Sequence, residues 1–333
     1  MSTKVAINGL GRIGRAILKL IIDAPSMELV AVNDLVDVEN LSYLLRFDTV
    51  YGQYSKPVLV DGHDLVVAGR KLRTLSKRDP SDLPWKELGV ELVFECTGAL
   101  TRREDLEKHI GAGARFVLLS APSKGEVETV IHGVNEPGGN PAIISCESCT
   151  TNCITPIVEV IGRRIGFDKA AMTTVHAYTS SQSIVDGPSK RFRRGRAAAA
   201  NLVPTTTGAA HATTRALPAY VGRFDGIAVR APIPVGSIAD ITFVTSRKTT
   251  VDEVNRILTE EAGTQRYDGV LGVSRDPLVS SDIIGDPRAS IVDLELTKVI
   301  DGDLVKVMSW YDNEWGYANQ MVREAVSVSI RER

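Results

Sequence analysis

Over the first 120 residues, short unbroken apolar runs take turns with stretches whose apolar positions recur every three or four residues. Lys4-Val5-Ala6-Ile7-Asn8 predicts a strand that runs into Gly9-Leu10-Gly11-Arg12-Ile13-Gly14, after which Ile17, Leu18 and Ile21 mark a helix ending at Pro25. Glu28-Leu29-Val30-Ala31-Val32-Asn33-Asp34 predicts a second strand. Further strands are expected at 65–67, 91–98 and 115–120, with a polar helix from Arg102 to Ile110 between the last two. Buried on both faces, parallel strands read as continuous apolar runs, which these segments do. Their carboxyl ends line ligand crevices, so Thr97 and Ser120 become cofactor-side candidates.

The second half has a different texture. Met172 to Tyr178, Gly226 to Pro232, Ala239 to Val244 and Leu304 to Trp310 alternate apolar and polar positions, predicting a mainly antiparallel sheet with one covered face. Helices are expected from Cys153 to Ile165, from Val251 to Ala262 and from Tyr317 to Val328. Between Ser180 and Pro204 the chain is polar, basic and without period, which predicts a long ordered loop with a binding or assembly task. The fold class is therefore α/β: a Rossmann-type dinucleotide-binding domain joined to an α+β catalytic domain.

The turn between the first two strands adds chemistry to this pattern. Gly9, Gly11 and Gly14 permit a tight turn and let a pyrophosphate approach a helix N-terminus, while Asp34, 20 residues beyond the last glycine, can accept from ribose hydroxyls. A carboxylate at that place repels a 2′-phosphate, so NAD is expected rather than NADP. With 333 residues and 43% hydrophobic content the chain has material for roughly two domains. Its formal net charge of −2 supplies no bulk attraction to nucleic acid or an anionic membrane. The N-terminus lacks an apolar signal region and no run approaches the roughly 20 residues of a spanning helix, so a cytoplasmic enzyme is expected.

Four cysteines, three of them at 146, 149 and 153, do not form the framework of a small secreted domain. Their spacing admits a metal site, a redox pair, a buried structural thiol or a nucleophile. A tetrahedral zinc site wants a fourth ligand, and His176 follows Cys153 only after 22 intervening residues, on another element; no metal is expected. Ser148-Cys149-Thr150-Thr151-Asn152 reads as a strand end turning into a helix, whose N-terminal N–H groups lower a thiol pKa and stabilise an oxyanion. Cys149 with His176 would then be nucleophile and base.

Three long motifs carry a resemblance: Asn8 to Arg15, Ser148 to Cys153, and Trp310-Tyr311-Asp312-Asn313-Glu314-Trp315-Gly316-Tyr317. Over its whole length the chain resembles the phosphorylating glyceraldehyde-3-phosphate dehydrogenases. The resemblance implies that the Cys149 thiolate attacks the aldehyde, that His176 takes the hydroxyl proton, that hydride passes to NAD, and that inorganic phosphate releases the thioester as an acyl phosphate. It implies backbone contacts from Arg12 and Ile13 to the pyrophosphate, cofactor neighbours Asp34, Arg78, Thr97 and Ser120, and Asn313 on the nicotinamide carboxamide. For the anions of glyceraldehyde 3-phosphate and inorganic phosphate it implies Ser148, Thr150, Thr179, Arg194, Thr207, Gly208 and Arg230. It further implies a cofactor domain at 1–149, a catalytic domain at 150–315, a C-terminal helix at 316–333 packing back on the first domain, and a homotetramer with the 180–204 loop near a neighbour's cofactor.

Some positions depart from the family pattern. Glu147 replaces a small residue, placing a carboxylate that either raises the thiol pKa or points away; Leu10 replaces a frequent Phe, and Ala209 to Arg215 lacks the usual lysine. Two rivals remain: an erythrose-4-phosphate dehydrogenase, disfavoured by His176-Ala177-Tyr178-Thr179 and Thr205-Thr206-Thr207-Gly208, and a non-catalytic NAD- or RNA-binding scaffold, disfavoured by the intact Cys149/His176 pair.

Overall fold

A computed structural model describes residues 2–331. The chain divides into two compact units: unit 1 holds residues up to His132, then Glu136–Glu147 and the segment from Ala318 onward, while unit 2 holds Gly133–Asn135 and Ser148–Tyr317. Among the described residues no helix is long and apolar enough to cross a membrane.

Unit 1 opens with β1 (Thr3–Asn8), α1 (Arg12–Asp23) and β2 (Met27–Asn33), followed by α2 (Val38–Arg46) and a minimal hairpin, β3 (Phe47–Asp48) and β4 (Gly52–Gln53). Next come β5 (Val58–Asp61), β6 (Asp64–Val67), β7 (Arg70–Leu75), α3 (Trp85–Leu88), β8 (Leu92–Glu95), α4 (Arg103–Gly111), β9 (Phe116–Leu119), β10 (Glu128–Thr129) and β11 (Ile143–Ser145). They form one sheet in the order β10-β11-β9-β8-β1-β2-β7-β6-β5, parallel from β10 to β7 and antiparallel beyond. The α1 helix forms because Ile17, Leu18, Ile21 and Ile22 fall on one face and are buried, each side chain contributing roughly 1.5–3 kcal/mol. Chain order runs outward from β1 to both sides, to β2 one way and to β8 the other. At such a reversal the strand ends diverge and leave a crevice.

Unit 2 holds α5 (Cys149–Arg164), β12 (Phe167–Ala177), β13 (Val203–Thr206), α6 (Ala209–Ala216), β14 (Phe224–Ala231), β15 (Ser237–Thr245), α7 (Val251–Ala262), β16 (Leu271–Ser274), β17 (Ser290–Ile300) and β18 (Leu304–Tyr311). The helix α8 (Trp315–Arg331) begins there and continues into unit 1. The sheet order is β13-β14-β12-β15-β18-β17-β16, with only β12/β14 and β16/β17 parallel. Along β15 every second residue is buried, as alternation predicts.

Two elements depart most from the sequence expectation at their start. The helix expected from Cys153 starts at Cys149, because Ser148 caps it and the burial of Thr150, Thr151 and Asn152 overrides their weak helix propensity. The strand expected at 172–178 runs from Phe167 to Ala177. The aperiodic loop is pinned by Asp186, which accepts from Ala197 N at 2.9 Å and Arg196 Nε at 2.8 Å.

Candidate active site

Cys149 is the first residue of α5. Ser148 stands before it in extended conformation, its Oγ accepting from Thr151 N at 3.1 Å. That cap fixes the direction in which α5 leaves the strand and puts Cys149 among the open N–H groups of the first turn. Across from it, His176 is the penultimate residue of β12, and its Nε2 lies 3.4 Å from Cys149 Sγ. The parallel register of β12 with β14 sets His176 beside Arg230. Two distant segments and one strand pairing therefore build the trio.

The far nitrogen of the imidazole faces both a carbonyl and a guanidinium, and the ring proton selects between them. His176 Nδ1 lies 2.7 Å from the Ala177 carbonyl, and Arg230 Nη1 donates to that same carbonyl at 2.8 Å while lying 2.7 Å from Nδ1. With the ring proton on Nδ1 and donated to Ala177, the Nε2 lone pair faces the thiol. Burial first, and then the adjacent Arg230 charge, push the imidazole down to about 3. Burial pushes the Cys149 thiol up to about 11, against the opposing pull of Arg230 and of the Thr150 N–H. Both shifts run toward the uncharged forms, thiol and neutral imidazole. The helix end and the arginine act in the direction the sequence suggests, but desolvation outweighs them. As a residue Cys149 is partly exposed, unlike Cys153 or Cys146.

Around the trio lie groups that attract anions. Burial, Arg230 and Arg191 push Arg194 down to about 10, and burial also lowers Arg230. Among the described residues neither guanidinium meets a carboxylate: Arg194 reaches only Thr205 Oγ1 and Ser181 Oγ, and Arg230 Nε is buried without a partner. A guanidinium drawn partly out of water with no carboxylate beside it is disfavoured, and two together suit a place where an anion binds. Thr179 Oγ1 pairs with Ser181 Oγ at 2.9 Å, and Thr207 and Gly208 stand at the start of α6, which has no side-chain cap of its own other than Thr207 Oγ1 accepting from Ala209 N. Ser148 and Thr150 are differently employed. The Ser148 hydroxyl is spent on the cap, and the Thr150 hydroxyl bonds Tyr311 at 2.9 Å while it and the Thr150 N–H both face the sulfur.

In unit 1 the carboxyl ends of β1, β2, β7 and β8 enclose a cleft of about 430 Å³, lined by Asn8, Gly9, Gly11, Asn33, Asp34, Leu35, Lys77, Arg78, Cys96, Thr97, Ala99 and Leu100. Its place at the carboxyl ends of the strands, where their order reverses, is where open α/β sheets bind nucleotides. Gly9 has φ +93° and a Cβ there would meet Thr97 N at 2.7 Å, while a Cβ on Gly14 would strike the Gly9 carbonyl at 2.0 Å. At Gly11 a Cβ would meet no protein atom, so its open face serves approach from outside. The α1 helix begins at Arg12 and Ile13 with no side-chain cap and no acid in its first turn, a helix start whose dipole favours a pyrophosphate. Asp34 also accepts from Leu10 N at 2.6 Å and Val36 N at 3.0 Å, tying the glycine turn to β2. Ser120 does not line this cleft; it bonds the Cys96 thiol, which does. Asn313, in unit 2, has Oδ1 fixed by Gly236 N at 3.1 Å and Ser237 Oγ at 3.0 Å, so its Nδ2 is oriented and makes no bond to the described residues.

The remaining cysteines separate from Cys149. All four are free; Cys153 packs one helical turn on against Ser290 and Ser309, and Cys146 is buried in unit 1. Glu147, at φ +60°, is fully buried and turns its carboxylate into unit 1, accepting from Thr129 Oγ1 at 3.0 Å. Of the two alternatives for this residue, the carboxylate points away. The sequence motifs assign no role to Tyr311, whose hydroxyl joins Thr150 to Thr174 at 2.9 and 2.8 Å and whose ring meets His176 edge-on at 5.9 Å. A signal for it does exist: the alternation of β18 points residue 311 inward.

Comparison with known proteins gives the same picture along the entire chain. Residues 3–103 match the family described as glyceraldehyde 3-phosphate dehydrogenase, NAD binding domain, and residues 148–313 match its C-terminal domain. The chain is similar to the glyceraldehyde-3-phosphate dehydrogenase of Streptomyces coelicolor, 46% identical over 332 residues, covering 98% of this chain and 99% of that one. The enzymes of that name from Zymomonas mobilis and Geobacillus stearothermophilus are each 45% identical over 334 residues and 99% of both chains.

Proposed function

Because the chain belongs to the glyceraldehyde-3-phosphate dehydrogenase family, whose NAD-binding domain it contains, we propose that it oxidises glyceraldehyde 3-phosphate to 1,3-bisphosphoglycerate through a thioester on Cys149. The chain's own groups divide the work. His176 Nε2 takes the thiol proton as the sulfur bonds to the aldehyde carbon, and the first-turn N–H groups of α5 support the oxygen. His176 passes that proton to the oxygen, giving the thiohemiacetal hydroxyl, and takes it back as the thiohemiacetal loses hydride and becomes the thioester. Bound NAD supplies the hydride acceptor. Arg194, Arg230, Thr179, Thr207 and Gly208 hold the substrate phosphate and the inorganic phosphate whose oxygen displaces the sulfur, giving the acyl phosphate and free thiol. Gly9, Gly11, Gly14, Arg12, Ile13, Asp34, Arg78 and Thr97 hold the dinucleotide, with Ser120 acting through Cys96 and Asn313 on the carboxamide.

The observation that carries this reading is the pair of uncompensated guanidiniums beside a cysteine–histidine contact. A hydrolytic or scaffold role would not require them. The test is NADH formation from glyceraldehyde 3-phosphate and from erythrose 4-phosphate, each with and without inorganic phosphate. Turnover is expected to favour the former and to depend on phosphate; equal rates without phosphate would remove the proposal.

We also infer a homotetramer. Ile184, Val185, Phe192 and Leu202, in and beside the 180–204 loop, are 84%, 74%, 89% and 68% exposed, apolar surface that a neighbouring copy would cover. Light scattering is expected to give four copies of the 36.0 kDa chain, and a monomer would end the inference.

A further inference from the structure

Behind the floor of the unit 1 cleft lies a buried carboxylate that the proposed chemistry does not use. Glu95, the last residue of β8, is fully buried and accepts from Asn8 Nδ2 at 2.6 Å, from Thr97 N at 2.8 Å, from the Thr97 hydroxyl and from His109 Nε2 at 3.1 Å. Neither a lysine nor an arginine pairs with it among the described residues. His109, on α4, is likewise fully buried, and its Nδ1 receives the indole N–H of Trp85 at 2.9 Å. Indole nitrogen only donates, so Nδ1 must present a lone pair and the ring proton sits on Nε2, aimed at Glu95. Trp85 itself is locked among Leu83, Val90 and Val93.

The chain of bonds continues to the cleft. Asn8 Oδ1 accepts from Asn33 Nδ2 at 2.7 Å, and Asn33 clamps both the N–H and the carbonyl of Lys77 at 2.8 Å. In this way the ends of β8, β1 and β2 and the turn after β7 are held at fixed spacing by discrete hydrogen bonds. Asn8, Asn33, Lys77 and Thr97 line the cleft; Glu95, His109 and Trp85 do not. An apolar filling would close this core without polar desolvation, but it would not set the spacing of four loops.

We propose that His109 is a positioning residue for NAD: by donating to Glu95 it completes the hydrogen-bonded cluster that fixes Asn8 and Thr97, and through Asn33 it fixes Lys77, at the spacing the dinucleotide requires. This rests on NAD occupying the carboxyl-end cleft of unit 1. The test measures NAD binding calorimetrically with the full-length chain. His109→Leu is expected to weaken NAD about tenfold and raise the KM for NAD in step, leaving the KM for glyceraldehyde 3-phosphate and the alkylation rate of Cys149 without NAD within about twofold. His109→Gln, whose amide can again donate to Glu95, is expected to recover most of the affinity. An unchanged NAD affinity with a lowered melting temperature would make His109 merely structural and overturn the proposal. Should His109→Leu not fold, Trp85→Phe removes only the group that fixes the ring proton, and its unchanged affinity would be equally fatal. Asp34→Ala separates the two readings: if it weakens NAD and the His109 variants do not, the positioning role falls alone; if neither weakens NAD, the cleft assignment falls and takes the role with it.

Discussion

Cys149→Ser is expected to lower kcat by roughly 10⁴-fold or more while leaving NAD affinity near that of the parent chain. A serine hydroxyl ionises several units above a thiol, and a burial that already pushes Cys149 up to about 11 penalises the alkoxide further. The helix end and Arg230 cannot offset that difference. Because the cleft-lining residues all lie in unit 1 and Cys149 does not, the nucleotide should still bind. Single-turnover NADH formation and calorimetric NAD titration check the two halves. A serine variant that kept a tenth of the parent rate would sink the covalent mechanism.

His176→Asn should cost about 10²–10⁴-fold in kcat, the range for loss of a positioned general base. Asparagine can still donate to the Ala177 carbonyl but offers no basic nitrogen to the sulfur 3.4 Å away. Alkylation of Cys149 by iodoacetamide should slow in parallel, and an unaltered rate would count against the base assignment. The same substitution has a signature in stability. The fold holds His176 down to about 3 from an ordinary 6.5, so between those values the unfolded chain binds a proton that the folded chain refuses. Stability therefore falls as pH drops through that window and is fully present above it. Urea midpoints at pH 7 and pH 4.5 should differ less in His176→Asn than in the parent chain; equal slopes would mean that His176 is not the group that resists charging.

The glycine turn and Asp34 are legible in the sequence because their physics is local: a strand, a tight turn and a helix start within one stretch of chain. His176 is legible as a candidate only. Its approach to Cys149 depends on the path of α5, and its pairing with Arg230 depends on a strand register that spans 54 residues. Along the sequence, Asn8, Asn33 and Glu95 are simply the polar ends of apolar strands. Their joint network is invisible there because its members are neighbours only after β8, β1 and β2 align. The start of α5 is hidden for the opposite reason. Thr150, Thr151 and Asn152 argue locally against a helix, and only their burial tips the balance toward one.

The last point at which the chain passes from unit 1 to unit 2, between Glu147 and Ser148, also bears on recombination. Every residue around the cysteine–histidine pair is encoded after that junction, and every residue lining the nucleotide cleft before it. A single genetic crossover there would still give a mismatched chimera, because from Ala318 the chain returns to unit 1 and α8 would come from the wrong parent. Exchange of the catalytic half between relatives calls for a second crossover near residue 317, so that the helix is inherited with the half it completes.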